Sequence, residues 1–173
     1  ANEIALSRPP RRGPFARGRS LALPGGAGAG ESMAVRSDRD AKEVRAQLAS
    51  LGGPVTLVNF TQELACQYCR ETEQLLKEVA ALSDKVRLEI YNFQLDKAQV
   101  AQYRVDKIPA TVVVGAKDYG IRFYGIPMGY EFGAFLAAIK DVSRGGTDLS
   151  PESRAALTEI VQPVHLQVFS TPT

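Results

Sequence analysis

The sequence predicts an α/β fold in which a βαβ crossover is followed by a ββα unit, with an extra helix in front and a helix and strand behind. Three observations carry this prediction. Short β-branched runs alternate with amphipathic helical stretches from about Asp38 onward. The chain's two cysteines stand three positions apart, in Cys66-Gln67-Tyr68-Cys69, just after one such run. Ile108-Pro109 directly precedes the strongest run, Ala110-Thr111-Val112-Val113-Val114.

Each element has its own signal. Ser37 and Asp40 stand at capping-box spacing ahead of a helix over Asp38–Leu51, with Ala41, Val44, Leu48 and Leu51 on one face. Gly52-Gly53-Pro54 ends it, and Val55–Phe60 has the length and branching of a buried strand. A loop over Thr61–Ala65 leads to a helix expected from Cys66 to Ser83. Its apolar positions Cys69, Leu76, Val79 and Leu82 turn Cys69 to the core and leave Cys66 at the N-terminal tip. Val86–Phe93 alternates as a strand, and Asp96–Tyr103 is a short helix with Val100 inward. Pro109 at the head of a strand marks either a sheet edge or a special backbone. Gly115–Gly120 turns the chain into Ile121–Tyr124, a hairpin strand, and Glu131–Val142 is the closing helix. Tyr124, Tyr130, Phe132 and Phe135 read as core or its rim.

Residues 37–143 thus form one α/β domain. Residues 1–36 are a leader rich in Arg, Pro and Gly that cannot bury enough surface to offset its ordering entropy. It reads as translated upstream sequence with Met33 as the natural start, rather than as an organelle transit peptide. Residues 144–149 are a linker. Ser150-Pro151 opens a further helix as N-cap and first helical residue, and Pro163–Phe169 is expected to be a strand. Pro163–Ser170 repeats Pro54–Thr61 with four of eight positions identical, which marks residues 150–173 as the start of a second, truncated unit. With no partner layer of its own, this tail is expected to dock on the first unit or promote association. His165 within it reads as inert.

Composition narrows the function classes. The chain has 173 residues, 45% apolar and 23% charged, and no run approaches a membrane span. The net charge of +2 comes from residues 1–32, where five arginines face Glu3 and Glu31. The remainder carries 16 basic and 17 acidic groups, so no basic patch argues for nucleic acid. The leader lacks the apolar run of a secretory signal, and the expected location is cytoplasmic.

Two cysteines closing so short a loop make a poor structural staple, and a zinc site would need two more strong ligands. A Cys-x-x-Cys that follows a strand and opens an amphipathic helix is instead the context of redox exchange. At a helix N-terminus Cys66 meets unpaired backbone N–H groups and the positive end of the dipole, which favour its thiolate. Cys69 lies within reach to resolve a mixed disulfide. Gln67 and Tyr68, between them, are candidate substrate contacts. A cis Ile108–Pro109 bond would offer the Ile108 backbone to a substrate strand. No cofactor beyond a Cys66–Cys69 disulfide is expected.

The motifs Val58-Asn59-Phe60 before Cys66-Gln67-Tyr68-Cys69, Ile108-Pro109-Ala110-Thr111 before a valine run, Arg122–Phe132, Asp141–Arg144 and Val168–Thr173 together resemble the thioredoxin superfamily. More narrowly, they resemble the first unit of tandem, glutaredoxin-like protein disulfide oxidoreductases. The resemblance implies a thioredoxin-like fold, Cys66 as attacking cysteine, Cys69 as resolving cysteine and Pro109 as a cis-proline. It also implies protein disulfide substrates and a flavoprotein of the thioredoxin-reductase type as electron donor. Related alternatives are an electron-transfer domain serving a peroxiredoxin, or a module binding metal through the cysteine pair. The sequence departs from ordinary thioredoxins in having Ala65 where a tryptophan precedes the first cysteine, and Asn59 where a buried acid stands. Asn59 cannot shuttle a proton, and Glu63 reads as a solvated loop charge rather than its replacement.

Overall fold

The computed structural model describes residues 38–170, so the readings on the leader, on Ser37 as a cap and on residues 171–173 fall outside it. The elements in chain order are α1 (Asp38–Ala49), β1 (Val55–Thr61), α2 (Cys69–Ala81), β2 (Val86–Asn92), α3 (Lys97–Tyr103), β3 (Ala110–Val114), β4 (Asp118–Tyr124), α4 (Tyr130–Arg144) and α5 (Pro151–Thr158). The sheet order is β2-β1-β3-β4. β1 runs parallel to β2, as a crossover through α2 requires, and antiparallel to β3, while β3 and β4 form the hairpin.

β1 is the central strand, and its side chains alternate between two cores. Val55 and Leu57 pack with Leu75, Leu76 and Val79 of α2, Val44 and Leu48 of α1, and Phe135, Leu136 and Ile139 of α4. Val58 and Phe60 point to the opposite face and pack with Val105, Ala110 and Val112, beside Val100 and Tyr103 of α3. Phe60 meets Tyr91 and Tyr103 at ring separations of 5.8 and 5.9 Å. Layers on both faces explain why Val55, Leu57, Val58 and Phe60 of β1 are all buried.

Specific ties fix the outer elements. Arg122 of β4 forms two bonds to the Asp118 carboxylate (2.9 and 2.6 Å) and two to the Tyr103 carbonyl (3.1 and 3.0 Å), joining the hairpin to the end of α3. The Ser143 hydroxyl donates to the Gly53 carbonyl and accepts from the Gly53 amide, each at 2.9 Å, which binds α4 to the start of β1. A Cβ at Gly115 would lie 2.5 Å from the Val142 carbonyl oxygen, so only glycine lets the β3–β4 turn approach α4 this closely.

Several expectations need correction. The helix placed from Cys66 begins at Cys69. The chain first turns through Ala65, at φ 55, and the first carbonyl to accept a helical bond is that of Tyr68, from the Thr72 amide at 3.0 Å. The hairpin strand starts at Asp118 rather than Ile121, because Val114 pairs with Asp118. Pro109 does not mark an edge: β3 is paired on both sides. Tyr130 is not at the core rim but 86% exposed.

The largest correction concerns the tail. The Ser150 hydroxyl does accept from the Ser153 amide (3.2 Å), and Pro151 opens α5. Yet residues 163–170 form no strand, and α5 buries no residue. Leu157, Ile160, Val164, Leu166, Val168 and Phe169 are exposed rather than docked, and His165 lies in this irregular segment. A strand is stabilised by ladder partners, and none of the four strands pairs with this segment. A hydrogen bond from Ser170 to the Glu131 carboxyl touches α4.

Candidate active site

The site lies at the end of the sheet where β1 finishes and β3 begins. Phe60 pairs with Ala110, so the loop that leaves β1 toward the cysteines and the Pro109 that precedes β3 share that end. Cys66 and Cys69 form a disulfide, with Cα atoms 5.5 Å apart. Their exposures differ. Cys66 is half-buried in the loop, whereas Cys69, the first residue of α2, is 2% exposed and faces the core. A half-buried cysteine is thus joined to a buried one.

α2 is built to hold that arrangement. Leu75, Leu76 and Val79 bury its inner face, and the buried Thr72 donates its hydroxyl to the Tyr68 carbonyl at 2.7 Å, doubling the first helical bond. The amides of the first turn have no acceptor within the helix, and the dipole adds positive potential at the same end. Starting α2 at Cys69 puts Cys66 just before these amides rather than within the first turn.

The flanking residues occupy defined places. Tyr68 is exposed, and its phenol oxygen accepts from the Gln67 side-chain amide at 3.2 Å. The Ile108–Pro109 peptide is cis, as the resemblance implies. Pro109 is buried, its carbonyl accepts from the Gly125 amide at 2.9 Å, and the Ile108 side chain packs toward the core on the α3 side. Beside this loop, Lys107 lies over the Tyr124 ring at 4.4 Å. Desolvation raises the Tyr124 hydroxyl above the ordinary tyrosine pKa. A groove of about 1040 Å³ opens onto both cysteines, between Arg70, Glu73 and Gln74 of α2 and Ile90 and Asn92 of β2. Glu63 also lines it and is exposed.

Asn59 lies in the same strand, two residues before its end, with no exposed surface. Its partner across the ladder is Thr111, equally buried. Sequence reasoning singled out Asn59 and missed Thr111. Strand alternation could have found it, since Thr111 is the polar residue among the valines of β3. No group of three or more His, Cys, Asp or Glu able to hold a metal occurs among the described residues.

Together, these elements define a thioredoxin-like fold with a disulfide-bonded cysteine pair at one end of its sheet. Residues 58–134 match the thioredoxin domain family. No curated protein matches the chain. Among solved structures, it is similar to a protein disulfide oxidoreductase from Aeropyrum pernix K1, with 24% identity and a TM-score of 0.65 over 72% of this chain and 55% of that one. It is also similar to the alkylhydroperoxide reductase AhpF of Enterococcus faecalis, with 26% identity and a TM-score of 0.62 over 69% of this chain and 58% of that one. The matched part therefore spans a little more than half of each of these proteins. Among the described residues, no helix is long and apolar enough to cross a membrane.

Proposed function

We propose that the protein exchanges disulfides with protein substrates, using Cys66 as the attacking sulfur and Cys69 as the resolving one. The observation that carries this reading is the unequal exposure of the two cysteines in one disulfide at the start of α2. In the reducing direction, the Cys66 thiolate attacks one sulfur of a substrate disulfide. A mixed disulfide forms, and the substrate's other sulfur leaves as a thiolate that takes a proton. The Cys69 thiolate then attacks the Cys66 sulfur, which closes the Cys66–Cys69 disulfide and expels the second substrate thiolate. Two electrons have passed from the protein to the substrate. In the oxidising direction, a substrate thiolate attacks Cys66 and the same steps run backward. Gln67, Tyr68 and the Ile108 backbone are assigned to substrate contact, and Pro109 to shaping the surface the substrate meets. Reducing equivalents come from a flavoprotein of the thioredoxin-reductase type.

The likeness to the alkylhydroperoxide reductase AhpF favours a second reading, in which the same dithiol hands electrons to a peroxiredoxin. The two readings share the chemistry and differ in the partner.

The test is insulin-disulfide reduction with dithiothreitol. Cys66→Ser is expected to abolish it, and Cys69→Ser to accumulate a mixed disulfide visible on a non-reducing gel. Insulin reduction by Cys66→Ser at the wild-type rate would refute the assignment. In the pH profile of alkylation, the Cys66 thiol is expected to titrate below the free-cysteine value of about 8.5.

A further inference from the structure

A buried polar pair lies in the strands that lead to the site, and the inference drawn from it rests on the exchange reaction proposed above. Asn59 and Thr111 are direct partners across β1 and β3. They lie on the face that Leu57 and Val113 present to the helical layer of α2 and α4. Neither has any exposed surface, and each stands between buried apolar residues, Val58 and Phe60 in β1 and Ala110 and Val112 in β3. Such a polar pair in a sheet's interior calls for partners.

Half of that need is met in a telling way. The Asn59 side-chain amide donates to the Ala110 carbonyl at 3.2 Å. Ala110 is the residue immediately after Pro109, whose own carbonyl is held by the Gly125 amide at 2.9 Å. A side chain of β1 and the backbone just beyond β4 therefore grip consecutive carbonyls of the Pro109–Ala110 unit. The other half is unmet within the protein: Asn59 Oδ1 and Thr111 Oγ1 are buried and have no protein partner. Opposed residues of an antiparallel pair hold their Cβ atoms about 4.5–5.5 Å apart. One water can then take a hydrogen bond from the hydroxyl and give one to the amide oxygen.

We infer that Asn59 and Thr111, joined by one internal water between Asn59 Oδ1 and Thr111 Oγ1, form a polar clasp that positions Ala110 and Pro109 against the cysteine loop. They are positioning residues for protein substrates, which must meet the Pro109 surface. A small reagent that needs only the Cys66 sulfur is indifferent to them.

The test uses the full chain with Asn59→Leu, Asn59→Thr and Thr111→Val. For Asn59→Leu, kcat/KM for insulin reduction is expected to fall roughly five- to tenfold through KM, the size of one lost hydrogen bond. Alkylation of reduced Cys66 by iodoacetamide should stay within about twofold of wild type. Asn59→Thr removes the donor to Ala110 but keeps a hydroxyl for the water. It should show the same split, and it serves where the leucine variant does not fold. Equal slowing of both reactions, or of neither, overturns the positioning role.

Thr111→Val is a test of sign. If a water joins the pair, the valine strands Asn59 Oδ1 and the melting temperature falls by about 4 °C. If the hydroxyl is simply unpaired, the valine raises it, and the clasp is refuted. Wild-type protein that failed to reduce insulin would count against the proposed exchange activity, while the direction of the Thr111→Val shift would still decide the clasp.

Discussion

Residues 54–61 and 163–170 share four of eight residues and adopt opposite states. Pro54-Val55-Thr56-Leu57-Val58-Asn59-Phe60-Thr61 supplies the central strand, paired on both sides, with Val55, Leu57, Val58 and Phe60 fully buried. Pro163-Val164-His165-Leu166-Gln167-Val168-Phe169-Ser170 is irregular, with Val168 91% and Phe169 90% exposed. Alternation and β-branching are present in both, so they do not decide between the states. The difference is what surrounds each segment. β1 has β2 and β3 for its ladders and α1, α2, α3 and α4 for its two faces. The second segment is preceded by α5, which buries nothing. Strand propensity reports how well side chains fit a half-buried pleated surface, and it has little effect where that surface is missing.

Matched substitutions test the contrast most directly. Phe60→Ala should cost about 3–5 kcal/mol of unfolding free energy, whereas Phe169→Ala should stay within about 0.5 kcal/mol of wild type. Urea unfolding of the two variants measures both. Comparable losses would mean that the tail packs against the domain.

A smaller effect is expected from the turn that lets α4 close over the sheet. Gly115→Ala places a Cβ against the Val142 backbone, and it should cost about 1–3 kcal/mol. Gly146→Ala, past the end of α4 and facing open space, should cost much less. A neutral Gly115→Ala would show that α4 shifts freely.

Hydrogen exchange gives a comparison without mutation. Amides of Val55–Phe60 are expected to be protected to near the global stability, and those of Val164–Phe169 to exchange at rates close to those of an unfolded peptide. Protection across the second segment would contradict the exposed state.

The smallest difference lies in two ion pairs. Asp118 and Asp148 each have a carboxyl pKa lowered chiefly by a hydrogen-bonded arginine, Arg122 and Arg144 respectively. A lowered folded-state pKa stabilises the protein above the ordinary aspartate value near 3.8. That stabilisation is lost as pH falls from there through the lowered value. The Asp118 pair is partly buried and ties the hairpin to α3, so Asp118→Asn should flatten the acid limb of the stability curve by up to ~1 kcal/mol after solvent screening. Asp148 is exposed beyond α4, and Asp148→Asn should leave that limb unchanged.

The candidate site was legible in part. The cysteine spacing, the strand before it and the apolar stripe of α2 are local patterns, and they identified the pair and its buried member. Where α2 begins was less legible, because a backbone turn at Ala65 decides it. Thr111 was missed because its importance lies in facing Asn59, a matter of strand register. The groove beside the cysteines brings together residues from α2 and β2 that are distant in sequence.

By itself, then, the sequence determined the order of elements up to α4, the face each helix buries and the pairing distance of Cys66 and Cys69. These follow from the 3.6- and 2-residue periods and from thiol chemistry, which act over short distances along the chain. The tertiary structure alone decided that Pro109 heads an interior strand, that Asn59 reaches the carbonyl beyond it and that the partial repeat of β1 at residues 163–170 forms no strand. Each of these depends on which segments become neighbours, and a strand's state is settled by its neighbours as much as by its own residues.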